Sequence, residues 1–360
     1  MHKVLVLNLG ATSSKVSVFE DAGQLMEKTI RHTVQDMEEA PTNREQVEMR
    51  VAMIREWMDT ERITFEEIDA VGMRGGGMTR ATVSGTYEMN EVMREDAYKL
   101  YVPDGNFIHG SRIVLPVLDG LLDGKEIPIY VTDPPYVDEL CEEAKLSGTP
   151  AFTRLSRFQV LNHKQVGRQA AADLGKAYED INIVIAHMGG GVSVGAHRKG
   201  RVIDVNDCTD GDGPFSPERS GGVPEGQLIT ACFSGKYSEK EVRAMIRGNG
   251  GFKGYLGTTD IREVEKMAAE GNEKADLVFR AFIYQVSKEI GGCVAALKGQ
   301  VDGIILTGGI AYSDAVVSGI REYVGSFAPV YVYAGEGEAE ALVNGALRIL
   351  KKEARPIEYV

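Results

Sequence analysis

Two similar turns, about half a chain apart, carry the residue types that bind phosphate. In the first, Asn8 and Gly10 lead into the polar run Thr12-Ser13-Ser14-Lys15, and in the second His187 leads into Gly189-Gly190-Gly191. Each turn lies between two apolar strands and offers backbone N–H groups and hydroxyls without bulky side chains. Two such turns facing one another across a cleft would hold the phosphates of one nucleotide from both sides. The pattern predicts a phosphoryl-transfer enzyme.

The repeat of this hairpin indicates a duplicated domain. A chain of 360 residues, 43% of them hydrophobic, is long enough for two domains. Apolar runs predict strands at 3–7, 15–19, 68–73, 127–132, 181–187, 192–197, 201–205, 301–307 and 330–333. Helical patterns occur at 44–59, 107–122, 162–173, 275–297, 314–324 and 338–351. The alternation predicts an α/β fold with a hairpin at the head of each half.

The turn-rich segment Ser147-Gly148-Thr149-Pro150 is the best candidate for a domain boundary. We therefore expect a first domain over residues 1–150 and a second, nucleotide-binding domain over 151–337. The final helix, within 338–360, is expected to cross back and complete the first domain.

The composition excludes several classes of protein. A net charge of −13 argues against sequence-independent binding of nucleic acid. No apolar run approaches the roughly 20 residues of a membrane span, and no signal-peptide pattern follows Met1. The cysteines are scattered, without the spacing of a zinc site or a disulfide framework. We expect a cytoplasmic protein with neither nucleic-acid nor membrane partners.

A third glycine motif, Thr307-Gly308-Gly309-Ile310, ends an apolar strand ahead of a helix. Glycines at such a turn let an adenine or ribose lie against the backbone. A Walker A motif is absent, and no G-x-G-x-x-G follows a buried strand, which argues against a dehydrogenase. Each motif alone also fits an ordinary hairpin turn or strand-to-helix connection.

Taken together, four ordered segments resemble the acetokinase family over nearly the whole chain. They are 8–15, 187–200, 210–221 and 307–310, and within the family the chain is most similar to the butyrate kinases. The resemblance implies a duplicated actin-like, sugar-kinase-like fold with a central ATP cleft. It implies reversible, Mg²⁺-dependent transfer of a phosphoryl group from ATP to a short-chain carboxylic acid, giving an acyl phosphate and ADP. It also implies a homodimer or a higher homo-oligomer.

The resemblance also assigns roles to individual residues. The catalytic set that it implies is Asn8, Arg74, His109, Asp133, Arg219 and Glu338. The nucleotide-binding set is Thr12, Ser13, Ser14, Lys15, His187, Gly189, Gly190, Gly191, Gly308, Gly309 and Ile310. Asp133 and Glu338 match the acidic pair that organises Mg²⁺, with Glu336 and Glu340 as close competitors for the second place.

The chemistry explains the two arginines. A carboxylate and a triphosphate repel each other, and a guanidinium neutralises both by bidentate pairing, which suits Arg74 and Arg219. His109 would hydrogen-bond to the developing charge. The substrate carboxylate is already ionised near neutral pH, so no strong general base is needed.

Two departures from the family pattern affect the chemistry. Gln159 follows Phe158 where the family carries a histidine, so the side chain can donate a hydrogen bond but cannot become cationic. His163 lies one helical turn further on and is the alternative donor. Gly190 stands where acetate kinases usually have asparagine, which removes one donor to phosphate.

The acid pocket that the resemblance implies has Gly76, Ile108, Phe158 and Pro217 as its walls. Acetate kinases have valine where this chain has Gly76, so the pocket is expected to be deeper and to favour butyrate or isobutyrate over acetate in a graded way. The alternative is that residues 75–77 form a flexible turn unrelated to the pocket.

Two other functions stay open. One is a kinase of the same fold that acts on acetate, propionate or a hydroxyl acceptor, the last of which needs a general base. The other is a nucleotide-dependent binding protein similar to actin or the heat-shock chaperones.

Overall fold

Continuous apolar runs form the centres of two separate sheets. The structure is a computed structural model that describes residues 1–107 and 109–360. The chain divides into two units, unit 1 comprising Met1–Val137 and Gly337–Val360, and unit 2 comprising Asp138–Glu336. Each unit has its own hydrophobic core.

The strands and helices are as follows. The strands are β1 (Lys3–Leu9), β2 (Ser13–Glu20), β3 (Gly23–Arg31), β4 (Ala70–Met73), β5 (Thr86–Glu88), β6 (Ile129–Thr132), β7 (Asn182–Met188), β8 (Val192–Arg198), β9 (Arg201–Val205), β10 (Gly303–Gly308) and β11 (Val330–Ala334). The helices are α1 (Val34–Glu39), α2 (Asn43–Thr60), α3 (Glu91–Lys99), α4 (Val114–Leu122), α5 (Glu142–Lys145), α6 (Val160–Asp173), α7 (Glu225–Phe233), α8 (Glu239–Ile246), α9 (Gly251–Leu256), α10 (Ile261–Ala269), α11 (Glu273–Ala296), α12 (Asp314–Val324) and α13 (Glu338–Leu350).

The two sheets repeat one topology. The strand order is β3-β2-β1-β4-β6-β5 in unit 1 and β9-β8-β7-β10-β11 in unit 2. In each, the first three strands of the unit form an antiparallel meander. The first strand then pairs in parallel with β4 or β10, which in turn pairs in parallel with β6 or β11, and in unit 1 β5 adds an antiparallel edge strand beside β6. The predicted α/β class and the predicted duplication are confirmed. The shared topology also puts the ends of β1, β4 and β6 at one edge of the first sheet, and those of β7, β10 and β11 at one edge of the second.

The end of the chain belongs to unit 1. Helix α13 lies so close to the sheet that a Cβ on Gly345 would stand 1.8 Å from Thr132 Oγ1, and one on Gly72 would stand 3.3 Å from Leu342 O. Beyond the helix, buried Tyr359 donates its hydroxyl to Asp96 at 2.8 Å. The helix therefore covers β4 and β6, and its first residue lies near the carboxyl ends of the strands.

The first boundary lies earlier than the sequence indicated. Residues 138–150, expected in the first domain, group with unit 2. Glu139 accepts from the buried Lys164 ammonium at 2.6 Å, and the Cys141 N–H donates to Ile203 O at 2.9 Å. These contacts attach the segment to α6 and β9, so the division falls after Val137 rather than near residue 150.

The helices of unit 2 are amphipathic rather than apolar throughout, and the long helix α11 buries one face on β7 and β8. Among the described residues, none of the helices combines the length and the hydropathy needed to cross a bilayer.

Candidate active site

Three predicted residues meet at the sheet edge of unit 1. Asn8 Nδ2 donates to Glu338 Oε2 at 2.6 Å, and Arg74 Nη1 lies 2.7 Å from Glu338 Oε1. The register explains the meeting: Leu7 pairs with Met73 on parallel strands, so the residues that follow each of them emerge side by side. Glu338 is the first residue of α13, and its two carboxylate oxygens therefore bridge an amide and a guanidinium.

Asp133 follows β6 at the same edge. It is buried, and its Oδ1 accepts from Ser84 Oγ at 2.7 Å and from the Gly85 N–H at 2.8 Å. Its backbone is in the left-handed region, with φ of 43°. These contacts hold the carboxylate against the loop that precedes β5. Within the part of the chain that the structure describes, no three His, Cys, Asp or Glu side chains form a ready-made metal cluster.

The first turn is held from behind by a residue that the sequence analysis missed. Arg50, on α2, has no exposed surface, and its guanidinium donates to the carbonyls of Gly10, Ala11 and Ser13 at 2.9 to 3.2 Å and to Ser14 Oγ at 3.0 Å. Burial lowers the pKa of this guanidinium to about 10, which leaves it charged near neutral pH. The carbonyls of the turn therefore point towards Arg50, while Thr12 is exposed.

Two of the polar residues in the first turn have partners elsewhere. Ser14 is fully buried, and its hydroxyl contacts both Arg50 and His32 Nε2, the latter at 3.0 Å. Lys15 Nζ lies 3.4 Å from Glu27 Oε1 on the neighbouring strand. Strand alternation turns the Ser14 side chain inwards, and its predicted contact with phosphate has no support from its position. Thr12 is exposed and Ser13 half-buried, so both stay candidates.

His109 is fixed beside the first turn. Its ring Nδ1 accepts from the Ser111 N–H at 3.1 Å, so the neutral ring carries its proton on Nε2. Gly110, the next residue, lies so near the turn that a Cβ there would stand 2.4 Å from Gly10 O. The predicted helix over 107–122 accordingly begins only at Val114, after a 3₁₀ turn at Gly110–Arg112.

The second turn receives Arg219. A Cβ on Gly191 would stand 2.1 Å from Arg219 Nη1, so the glycine makes room for the guanidinium. Ser216 anchors the approach, since its hydroxyl donates to Gly190 O at 2.8 Å and accepts from the Arg219 N–H at 3.2 Å. Arg219 Nη1 also donates to Cys208 O at 2.5 Å. The structure thus brings the predicted arginine and the predicted glycine turn together.

His187 is oriented by Asn162, which the sequence analysis did not identify. Asn162 Nδ2 donates to the Glu336 carbonyl at 2.6 Å, so its Oδ1 must accept, and it lies 2.8 Å from His187 Nδ1. His187 therefore carries a proton on Nδ1. Asn162 also lies 3.3 Å from Thr307 Oγ1, and so one amide connects the second turn with the third glycine motif.

A cavity of about 840 Å³ in unit 2 joins the second and third motifs. Its lining comprises Gly189, Gly190, Pro217, Glu218, Thr259, Asp260, Ile261, Arg262, Glu265, Gly309, Ile310, Tyr312, Ser313 and Glu336. Gly308 lies beneath it in a left-handed conformation, and a Cβ there would stand 2.3 Å from Met188 O. The close approach of the two strand ends thus requires glycine. The cavity residues at the start of α10, 259–262, were not predicted as part of the site, because no sequence motif marks them.

Comparison with known proteins identifies the family. The family model described as the acetokinase family matches residues 151–327. The chain is also 44% identical over 359 residues to "Butyrate kinase 1" from Clostridium acetobutylicum, covering 100% of both chains. The chain belongs to the acetokinase family.

Solved structures agree with this acetokinase assignment. The acetate kinase of Porphyromonas gingivalis matches with a TM-score of 0.80 and 21% identity, covering 97% of this chain and 100% of that chain. A propionate kinase from Francisella tularensis matches with a TM-score of 0.75 and 19% identity, covering 96% and 99% of the respective chains. These likenesses confirm the predicted duplicated actin-like fold.

The acetokinase pocket predicted for the acid side chain is only partly described. Ile108 lies outside the described residues. Phe158 is buried with its ring edge against His163, at 5.0 Å between centroids, and Pro217 lines the cavity of unit 2. Glycine is required at position 76 for a steric reason, because a Cβ there would stand 1.9 Å from Ser111 O. The close contact between Gly76 and the backbone of Ser111, near His109, thus explains why position 76 has no side chain. A deeper acid pocket stays a prediction.

His163 does not replace the expected histidine at position 159. It has no exposed surface and contacts Ser193 Oγ at 2.9 Å and His197 Nε2 at 3.1 Å. Burial holds the pKa of its imidazole well below the ordinary value, so it stays neutral. Gln159, which is half-buried at the start of α6, is the residue near the second turn: its Nε2 would stand 3.2 Å from a Cβ on Gly191.

The hydrogen bonds from Arg50 to the first turn predict a strong effect of Arg50→Lys. An ammonium cannot reach three carbonyls and a hydroxyl at once, and each buried polar atom left unsatisfied costs about 1 to 3 kcal/mol. We expect a clearly lower free energy of unfolding and a weaker affinity for nucleotide, measured by urea denaturation and nucleotide titration. Arg44→Lys on the same helix is the control, because the Arg44 guanidinium is exposed and pairs with the exposed Asp104. If the two variants have the same free energy of unfolding and the same affinity for nucleotide, Arg50 does not stabilise the first turn.

The backbone contact at Gly76 predicts the result of Gly76→Ala. The new methyl must displace Ser111 and with it His109, so kcat/KM should fall by a similar factor for acetate, propionate, butyrate and valerate. Gly148→Ala, whose Cβ meets no atom within 4 Å, is the control. A selective gain in preference for acetate would instead support the interpretation that Gly76 deepens the acid pocket.

Proposed function

We propose that the protein is a butyrate kinase, which catalyses butanoate + ATP = butanoyl phosphate + ADP. Phosphorylation of a carboxylate is the activity that membership of the acetokinase family supports. The observation that carries the proposal is the meeting of Asn8, Arg74 and Glu338 in a chain that matches "Butyrate kinase 1" over its full length. We further propose, from family membership, a cytoplasmic location and a homodimer or a higher homo-oligomer.

The cavity in unit 2 supports the nucleotide part of the proposal. Acidic side chains outnumber basic ones in its lining, with Glu218, Asp260, Glu265 and Glu336 against Arg262. Carboxylates repel phosphates but accept hydrogen bonds from ribose hydroxyls and from the adenine amino group. We therefore infer that the nucleoside occupies the cavity and that the phosphates lie on the glycine turn at 189–191.

Arg74 and Arg219 are proposed to neutralise the reacting anions. The acid is ionised near neutral pH and attacks without a base, so alignment and charge neutralisation must supply the catalysis. Arg74 would bind the carboxylate, while Arg219, at the glycine turn, would bind the transferring phosphoryl group. Guanidinium groups suit both tasks because they pair with planar anions through two N–H groups. His109 would donate from Nε2 to the developing charge.

The residues around Glu338 fit Mg²⁺. Magnesium prefers hard oxygen ligands and in nucleotide sites takes one or two from the protein and the rest from phosphate and water. The Glu338 carboxylate and the Asn8 side-chain oxygen provide such ligands, and they are held together by the hydrogen bond described above. When bound, the ion would neutralise negative charge on the phosphates. Asp133 is proposed to act nearby through water, since its Oδ1 already accepts two hydrogen bonds.

Three glutamates compete for the second acidic place in the magnesium site. Glu338 is favoured because it contacts Asn8 and Arg74, whereas Glu336 and Glu340 are exposed.

The hydroxyl-acceptor alternative has less support. It requires a general base, and Asp133, the candidate, is buried and accepts hydrogen bonds from Ser84 and Gly85. Acetate or propionate as the preferred acid stays open, because one methylene in an apolar pocket is worth only about 1 to 3 kcal/mol.

The acyl phosphate assay tests the function. Purified protein is incubated with MgATP, hydroxylamine and one of acetate, propionate, butyrate, isobutyrate or valerate, and the hydroxamate is measured. We expect the highest kcat/KM at four carbons, with a graded fall on either side. The highest value at acetate would replace butyrate as the substrate, and no product with any acid would contradict the kinase activity.

The bridge at the sheet edge predicts the effect of Glu338→Gln. The amide loses the charge that holds Arg74 and that attracts Mg²⁺, so turnover should fall by about 10- to 100-fold. The Mg²⁺ concentration for half-maximal activity should also rise. Glu340→Gln removes the same charge from the exposed side of the same turn and should behave like the parent. If both variants show the same Mg²⁺ dependence as the parent, Glu338 is not a metal ligand.

A further inference from the structure

A chain of hydrogen bonds runs from the core of unit 2 to Gln159. The hydroxyl of Tyr178 lies 2.6 Å from His197 Nδ1, and His197 Nε2 lies 3.1 Å from His163 Nδ1. His163 Nε2 lies 2.9 Å from Ser193 Oγ, which in turn lies 2.5 Å from Gln159 Oε1. Every member except Gln159 is buried. None of the roles assigned above uses this chain.

The two rings point in the same direction, either both outwards or both inwards, because each neutral imidazole donates from one nitrogen and accepts at the other. If they point outwards, Tyr178 donates to His197, and each following group donates to the next until Ser193 donates to the oxygen of Gln159. If they point inwards, the Gln159 amide nitrogen donates to Ser193, and both histidines carry their protons on Nδ1 instead. The direction therefore determines which atom Gln159 presents at the second turn.

A second donor selects the outward direction. Cys208 Sγ lies 3.6 Å from Gln159 Oε1 and accepts from Arg219 Nη1 at 3.7 Å, and burial raises the pKa of this thiol, so its proton is available for donation to the Gln159 oxygen. Two donors thus meet at the same oxygen of Gln159. The amide nitrogen is then on the opposite side, where a Cβ on Gly191 would stand 3.2 Å from it and 2.1 Å from Arg219 Nη1.

The chain is uncharged. Burial holds the pKa of both imidazoles, of His163 and of His197, well below the ordinary histidine value. Lys164, whose ammonium lies 5.7 Å from the centre of the Tyr178 ring and pairs with Glu139, adds a nearby positive charge that opposes their protonation. A neutral chain passes on an orientation rather than a charge, and this orientation does not change near neutral pH.

We propose that Tyr178, His197, His163 and Ser193 are positioning residues that hold the Gln159 amide with its N–H groups towards the transferring phosphoryl group. An amide without such a constraint can rotate and present its oxygen, which repels phosphate. The proposal rests on the proposed kinase function for the identity of the group that Gln159 meets. The orientation of the chain itself does not depend on that function.

Nitrogen NMR tests the orientation directly. The full-length protein is labelled with ¹⁵N-histidine, and long-range ¹H–¹⁵N spectra report the protonated nitrogen of each ring. The chain has 6 histidines, and His163→Gln and His197→Gln assign the two signals. We expect both rings to be neutral with the proton on Nε2, unchanged between about pH 6 and pH 8. Protons on Nδ1, or titration of either ring in this range, would overturn the proposal whatever the substrate.

Kinetics test the consequence. Gln159→Met keeps the length and removes the donor, so kcat should fall by about 10²-fold, the usual effect of losing one donor to a developing negative charge. Ser193→Ala should lower kcat less, with the KM for ATP unchanged, because the amide is still present but free to rotate. Ser287→Ala is the control, since Ser287 is buried in the same unit and its hydroxyl has no hydrogen-bond partner among the described residues.

The double variant separates positioning from a merely structural role. If Ser193 acts through Gln159, then Ser193→Ala added to Gln159→Met should cause no further loss of kcat. An additional loss, or an unchanged kcat in Ser193→Ala alone, would overturn the proposal. His163→Gln, which keeps an amide donor near the position of Nε2, should retain more activity than His163→Leu. Absence of activity in the parent with every acid would instead contradict the proposed function, and the NMR result would still decide the direction of the chain.

Discussion

Adjacent parallel strands end at the same edge of a sheet, and the rest of the site depends on this constraint. In unit 1 it brings Asn8 and Arg74 side by side, although more than sixty residues separate them in sequence. In unit 2 it brings the turn after β7 against Gly308 at the end of β10. The duplicated topology therefore produces two equivalent edges. The residues at the two edges differ, so that unit 1 carries the contact of Glu338 with Asn8 and Arg74 and unit 2 carries the cavity.

Buried polar groups support this arrangement from within. Arg50 lies behind the first turn and donates to its carbonyl oxygens, and Asn162 contacts His187 ahead of the second turn and donates to the Glu336 carbonyl. Such groups are costly to bury and are retained where they determine a backbone conformation. The contacts of Arg50 hold the backbone of the first turn without any ligand, and a backbone that is ordered in advance loses less entropy on binding.

Apolar periodicity predicted most of the strands that carry the site, and the motif resemblance singled out Arg74 and Glu338, although it did not predict that they contact each other. The sequence could not predict Arg50, since nothing near this residue indicates that its side chain reaches back to a turn forty positions earlier. The inward orientation of Ser14 could have been recognised, because Ser14 alternates with Val16 and Val18 on a buried face. Strand β3 was missed because it is almost wholly exposed and lacks apolar alternation. His163 shows the limit of spacing: a position one turn from Gln159 does not indicate whether a side chain faces solvent or the core.

Helix α13 and the residues after it have a consequence for the order of synthesis. A ribosome completes all of unit 2, Asp138–Glu336, before it makes the segment that covers β4 and β6. Unit 2 is thus continuous and can fold while the chain is still growing, whereas the sheet of unit 1 stays uncovered until its last helix has been translated. Glu338 joins Asn8 and Arg74 only at that stage, so a nascent chain that already contains the whole cavity of unit 2 still lacks the contact of Glu338 with these two residues.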